Sequence, residues 1–171
     1  FMVGYTYLVD DIQNTAENDS TDFINQIPKF VNKAESRMTR DLDDYGLVTY
    51  SSIAVSVSNP FVSLPSGTRI VKQFNITVSG EKLNLLQRTD EFINDYWPYV
   101  STSVGTPKYY ARRTNSSVLI APTPVSTLDG EIAHVNRPTT LSSVAPNNYF
   151  SDFCYDALFY ASMVEASFFM K

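Results

Sequence analysis

Few side chains in this sequence could do chemistry. His134 is the one histidine among 171 residues, so any Ser-His-Asp or Cys-His catalytic set must be built on it. It lies in a strand-like run between Ala133 and Val135, where an imidazole reads as structural. Cys154 is the one cysteine, which rules out an intrachain disulfide and nearly excludes a Cys/His metal site. It falls within an apolar helical run, where a free thiol behaves as a small hydrophobe. Asp41, Asp43 and Asp44 offer the oxygen ligands a hard cation takes, but at a helix end they read as a solvated face, as do Asp10 and Asp11. Arg112-Arg113 is the one adjacent basic pair, and a surface or subunit contact is preferred for it over a phosphate contact. No nucleophile with a base, no metal set and no acid pair emerges. We therefore expect no catalytic residue, no cofactor and no metal, which leaves an esterase or nuclease poorly supported.

Composition sets further limits. A chain 43% hydrophobic and 18% charged can bury one ordinary core, in one unit or two small lobes. The 11 Tyr and 11 Phe suit both cores and subunit interfaces. A net charge of −5 argues against wrapping nucleic acid, which needs Lys and Arg to neutralise phosphate, while leaving room for DNA that merely slides past. There is no apolar run long enough to span a membrane and no signal-peptide pattern. Phe1 stands where an initiator Met would, and Lys171 ends the chain within an apolar pattern, so we expect the natural protein to continue at both ends.

The elements follow from periodicity. Tyr5 to Ala16 places Leu8, Val9, Ile12 and Ala16 at helical spacing. A second helix is expected to start near Ile27, with Pro28 in its first turn because a proline in a helix interior costs about 3 kcal/mol. It carries the stripe Ile27, Phe30, Val31, Ala34, Met38 and Leu42, with Lys33, Ser36, Arg37 and Arg40 facing elsewhere. Gly46 is expected to supply a left-handed helix exit. The period then changes to 2: Ile53 to Val57, Phe61 to Leu64, Arg69 to Val78 and Leu83 to Leu86 read as extended, with hairpin chemistry at Ser79-Gly80. Thr89 to Trp97 reads as a short capped helix ended by Pro98, with Trp97 a packing anchor.

The stretch GTPKYYARRTNSSVLIAPTP, residues 105 to 124, reads as a β-hairpin that Pro122 and Pro124 force out of the sheet at an edge. Thr127 to Gly130 reads as a turn and Glu131 to Asn136 as a strand. A closing helix, capped by Asn148 or Ser151, has Phe150, Phe153, Cys154, Ala157, Leu158, Ala161, Val164 and Phe168 at helical spacing, widened by Tyr155, Phe159, Tyr160, Met163 and Phe169. So broad an apolar surface implies burial among several neighbours, in its own fold or in an adjacent subunit. The resulting fold class is α+β: terminal helices form a small bundle, and an antiparallel β-rich domain, sandwich or barrel, is inserted between them. The expected domains are 1–48 with 147–171 (helical) and 49–146 (β-rich).

The ordered series FINQIPKFVNKAESRMTRDL, SLPSG, GTPKYYA, APTP, NRPTTLSS and NNYFSDFCYDALFYASMVEAS resembles tailed-phage head-to-tail adaptor (connector) proteins over about residues 23 to 168. That resemblance implies a structural, non-enzymatic virion protein of the neck, assembled in the host cytoplasm. It implies a homo-oligomeric ring of about twelve copies that joins the portal protein to a tail or nozzle protein around the DNA channel, with no sequence-specific DNA binding and no membrane. A continuation beyond Lys171 would dock on the portal, and the β domain would meet neighbouring copies or the next tail component. The candidate interface residues are Arg37, Arg40, Tyr109, Tyr110, Arg112, Arg113, Tyr155, Phe159 and Phe169. At exposed positions, arginine pairs with a neighbour's acids contribute only about 0–1 kcal/mol each and set register. The alternative is a β-rich carbohydrate-binding or tail-accessory module in which Tyr109, Tyr110 or Trp97 stacks on sugar.

Overall fold

The computed structural model describes residues 4–42 and 45–170. The chain divides into two compact units: one formed by the segments before Val48 and after Arg137, the other by Val48–Arg137. The fold is α+β, with helices from the two chain ends and a sheet-built middle.

In the helical unit, α1 (Tyr5–Ala16) buries Leu8 and Ile12. The next helix, α2, spans Thr21–Asp41 and keeps Pro28 inside it, six residues earlier than the sequence suggested. Two interactions offset the proline. The Ser20 side chain caps the helix by accepting from the Phe23 amide, and Phe23, at 0% exposure, extends the buried line of Ile27, Phe30, Val31 and Ala34 by one turn. Pro28 itself faces solvent, where water can take the carbonyl left without a partner. A 3-10 turn, Tyr45–Leu47, follows. Gly46 in that turn does not use a left-handed backbone. It is needed because the Tyr149 ring lies on it, and an added Cβ would sit 2.0 Å from a ring carbon.

The returning segment forms two helices rather than one. A short helix, Tyr149–Phe153, is capped by Asn148, whose side chain accepts from the Phe150 and Ser151 amides while Ser151 bonds back to the Asn148 amide. The backbone breaks at Cys154, and a longer helix spans Tyr155–Phe169. This last helix packs on α2 and, less extensively, on α1. Its inward line is Leu158, Ser162 and Ala166, with the Ser162 hydroxyl satisfied by the Leu158 carbonyl. Ala157, expected on the buried face, is exposed. The inward face of an almost wholly apolar helix cannot be read from its sequence, because burying any side would remove comparable apolar area from water.

The β unit is one seven-stranded sheet with a two-stranded satellite. Strands β1 (Val48–Val55), β2 (Phe61–Ser63), β3 (Thr68–Val78) and β4 (Glu81–Gln87) are followed by α3 (Asp90–Tyr96), capped by the Thr89 side chain. After the short β5 (Val104–Gly105) come β6 (Tyr109–Arg112), β7 (Ser117–Ala121), β8 (Thr123–Pro124) and β9 (Leu128–Asn136). The short terminal helix of the preceding paragraph is α4 and the long one α5. The sheet order is β1-β9-β3-β4-β6-β7-β2. Its first and last strands come back into contact, so the sheet curls nearly into a barrel. All pairs in it are antiparallel except β4 with β6.

The expected turn at Thr127 to Gly130 is instead the start of β9. Gly130 pairs with Ile53 and Ile76, and a Cβ there would meet Ile53 Cγ2 at 2.8 Å and Phe74 at 3.1 Å. The glycine permits close packing, not a turn. The hairpin β6–β7 is buried on both faces. Tyr110, Val118 and Ile120 join Phe74, Ile76, Leu85 and Ile132 inside the curled sheet, while Ala111, Leu119 and Ala121 lie under α3 with Ile93. That explains the unbroken apolar run Val118–Ala121. As expected, the second strand stops before Pro122, and Thr123–Pro124 pairs with Val104–Gly105 instead.

If Leu158 is inward and Ala157 outward, Leu158→Ala should lower stability by about 2–5 kcal/mol. Ala157→Asp should then shift it by no more than about 0.5 kcal/mol. Urea unfolding of the two variants checks this, and equal losses would reverse the assignment of the inward face.

Candidate assembly surfaces

The polar groups that organise the helical unit centre on Glu35. On α2, with 5% of its surface exposed, its carboxylate accepts from the Leu141 amide at 3.3 and 3.2 Å through its two oxygens. It also accepts from the Asn148 side-chain amide, which donates to the Thr139 carbonyl at 2.8 Å as well. Burial pushes the Glu35 pKa up, and the bonds from Asn148 and Leu141 pull it only partly back. Two residues on, Arg37 forms a 2.6 Å ion pair with Glu165 of α5. The sequence Ala34-Glu35-x-Arg37 thus has a role at each position: a buried small residue against the bundle, a carboxylate that holds the returning loop, and a cation that ties α2 to α5.

The other candidate residues separate by environment. Arg40 is exposed and donates to Asp41 at 3.0 Å. Tyr155 is half-buried and its hydroxyl donates to Asp11 of α1 at 2.8 Å. Burial first, then Asp11, pushes the phenol pKa well up. Its ring stacks with Phe159 at 6.3 Å, and Phe159 meets Tyr160 edge-on. Phe169, 45% exposed, covers the rings of Phe23 and Phe30.

In the β unit, Tyr110 is 2% exposed and packs edge-on against Phe74. Its side chain belongs to the core and offers nothing to a partner or a sugar, because along β6 the even position faces inward. Tyr109 faces the other way, into a cluster with Phe92 and Trp97 beneath the Arg88 guanidinium. Arg112 is spent internally: its guanidinium donates to the carbonyls of Arg69, Thr68, Thr114 and Asn115 at 2.7–3.2 Å, which fixes the hairpin tip onto the start of β3. Arg113 lies over the Phe61 ring at 5.0 Å. Asp43 and Asp44 lie outside the described residues. Among the described residues, no group of three or more His, Cys, Asp or Glu side chains could hold a metal ion.

His134 is 1% exposed on β9. Thr68 donates its hydroxyl to the Pro65 carbonyl at 2.7 Å, so toward His134 it can only accept. That makes Nδ1 the protonated nitrogen, 3.0 Å from Thr68, and leaves Nε2 to accept from the Ser51 hydroxyl at 3.0 Å. A Ser-His contact exists, but the far nitrogen meets a hydroxyl rather than a carboxylate, and the ring takes no part in lining the open groove of about 510 Å³ beside Ser51 to Ala54 and Phe61 to Pro65. The pair serves as a polar tie across β1, β9 and β3. The cavity beside Trp97 is about 50 Å³, and the rings of Phe92, Trp97 and Tyr109 pack on one another.

What polarity and motif reasoning missed is an exposed apolar stripe on α4–α5: Phe153 at 77%, Tyr160 at 67%, Val164 at 45% and Phe168 at 63% exposure, with Ala157 between them. The signal was the spacing of these residues, hidden by apolar neighbours on every side.

The model of the family described as SU10 adaptor protein matches residues 5–171, nearly the whole chain. The chain belongs to the SU10 adaptor protein family. It is therefore a member of a phage head-to-tail adaptor family, as the motif series implied, and such a structural family suggests a protein that is not an enzyme. A comparison with curated proteins finds no match. For a SU10 adaptor, the exposed apolar residues on α4 and α5 offer a surface that a partner could cover. No helix among the described residues is long and apolar enough to cross a membrane.

Two measurements test these assignments. Glu35→Ala should destabilise the chain by about 1.5–3 kcal/mol in urea at pH 7, because the Leu141 and Asn148 donors lose a charged acceptor. Burial lowers the His134 pKa below its ordinary 6.5, so this residue's contribution is complete above that pH and is lost as the pH falls through the folded value. The wild-type urea midpoint should therefore fall more steeply than that of His134→Asn between pH 7 and 5; parallel curves would mean that the imidazole is not held neutral.

Proposed function

We propose that this SU10 adaptor forms a closed ring in the virion neck, of about twelve copies as the resemblance to head-to-tail adaptors implies. The ring joins the portal to the tail or nozzle and surrounds the channel through which DNA passes. Assembly takes place in the host cytoplasm, before the particle is released. The helical unit, built from both ends of the chain, makes the assembly contacts, and the β unit is presented to the next component. No reaction is assigned, and the chain's negative charge suits DNA that passes without being held.

The observation that carries this reading is the set of exposed apolar residues Phe153 at the end of α4 and Ala157, Tyr160, Val164 and Phe168 on α5, whose opposite side, Leu158, Ser162 and Ala166, is buried. Leaving so many large apolar groups in water forgoes stabilisation that a partner would recover, and contiguous patches of this kind mark interaction surfaces. Family membership over residues 5–171 makes a neighbouring virion component the natural partner.

The purified chain should be mixed with the portal protein of the same virion and imaged by negative stain. A ring of adaptor density seated on one face of the portal is expected. A chain that stays monomeric and unbound at micromolar concentrations would contradict the reading.

A further inference from the structure

The curled sheet of the β unit is left with a seam. Its first and last strands, β1 and β2, come into contact but form no ladder with each other, and the open groove of about 510 Å³ lies between them. Residues 51–54 of β1 and residues 61–65, which include β2, all line it. Consecutive side chains of a strand point to opposite faces, so a groove lined by consecutive residues on both sides meets strand edges rather than the face of a sheet.

Those edges present backbone groups that no ladder uses. The Ile120 amide donates to the Pro60 carbonyl and the Leu64 amide to the Ser116 carbonyl, which with Val62 opposite Val118 turns residues 60, 62 and 64 toward β7. Phe61 and Ser63 therefore turn their backbone groups to the groove. The Phe61 amide is taken by the Asn59 side chain at 3.0 Å, which leaves the Phe61 carbonyl and both groups of Ser63. Across the seam, β1 is an eight-residue edge strand paired only with β9, so every second residue along it also faces outward. The turn that joins the two strands is pinned, because the Ser58 amide donates to the Pro124 carbonyl at 2.9 Å, and that helps hold the gap open before anything enters it.

The chemistry of the groove selects its occupant. No Lys, Arg, Asp or Glu lines it, so phosphate and nucleic acid find no counter-charge. The one ring there, Phe61, already lies beneath the Arg113 guanidinium. Neither β1 nor β2 contains a charge or a proline, the devices that keep an edge from pairing. Other open stretches of edge are guarded: residues 81–85 of β4 include exposed Glu81 and Lys82, and Arg112 takes the Thr68 and Arg69 carbonyls at the start of β3. Inside the seam, Val62 and Leu64 are core residues and Ile53 packs against the same cluster, while Ser52 and Ser63 are exposed.

We propose that the groove takes an extended strand of the tail-side protein that the β unit meets, a segment about four residues long, uncharged, with apolar and small polar side chains in alternation. This rests on the function proposed above. Added between β1 and β2, the strand pairs on both of its edges and completes the barrel; main-chain bonds supply affinity and alternate side chains supply specificity. A second copy has no such strand to give. Among the described residues, the two longest stretches outside helices and strands, 97–103 and 137–148, are held in turns, where the Ser103 amide donates to the Tyr99 carbonyl and the Ser142 amide to the Ala145 carbonyl.

The test uses rings of the full chain on the portal of the same virion, to which its tail or nozzle protein is added. Amide exchange within that assembly should slow at Ser63 and at alternate residues of β1, and only after the tail-side protein binds. Ser52→Lys with Ser63→Lys places a cation on each rim of the seam. This double variant, first shown to melt like the wild type and to form rings, should bind the tail-side protein at least about tenfold more weakly, whereas Ser52→Thr with Ser63→Thr should bind it normally. Undiminished binding by the lysine variant, or a Ser63 amide that exchanges as fast in the complex as before, would overturn the proposal and leave the ring reading standing. Slowing on ring formation alone would give the groove to a second copy and overturn the assigned occupant. A wild type that makes no ring on the portal, or a ring that binds no tail-side protein, overturns the function proposed above and this inference with it.

Discussion

A buried carboxylate on α2 holds the helical unit closed. Glu35 bonds to the Leu141 amide and the Asn148 side chain, groups that lie 106 and 113 residues further along the chain. Bringing such distant segments together costs chain entropy that grows only slowly with the length between them, so a large insertion is tolerated if the closing contacts are strong. Charge-assisted hydrogen bonds are the strong kind. The price is desolvation of a carboxylate, visible in its raised pKa. Asn148 then passes the constraint onward: anchored to Glu35 and to the Thr139 carbonyl, it caps α4, and α4 sets the start of α5. The Arg37–Glu165 pair and the Tyr155–Asp11 bond fix α5 between α2 and α1. Its outward stripe is a consequence of that fixing.

The β unit solves a different problem. A curled seven-stranded sheet covers most of its own edges by bringing β1 back to β2, and the hairpin β6–β7 is stabilised from both sides by the inner core and by α3. Its polar ties are internal: Arg112 donates to four carbonyls, and His134 is held between two hydroxyls. These polar groups thereby hold strands together.

Much of this was legible beforehand. The bounds of α1 followed from the spacing of Leu8 and Ile12, and the cap and stop of α3 from Thr89 and Pro98, because each signal is local. The adaptor resemblance was carried by the order of short motifs, and the structure gives several of them a physical reason. What could not be read depended on distant partners. Pro28 looked like a helix start because the burial of Phe23 was invisible, and Gly130 looked like a turn because its neighbours Ile53 and Phe74 lie far away in sequence. The role of Glu35 rests on Leu141 and Asn148, more than a hundred residues away. Tyr109 and Tyr110 looked alike until strand alternation separated them. On α5 the trouble was excess of signal, since a helix apolar all round does not say which side faces in.

The claim that the chain's two ends form one cooperative body through Glu35 is tested most directly by amide hydrogen exchange in the free protein, followed residue by residue across residues 21–41 and 138–170. The account predicts that the Leu141 amide is protected like the centre of α2 and that α2, α4 and α5 open together in a single unfolding event. Rapid exchange at Leu141 and along 149–169 while α2 stays protected would contradict it.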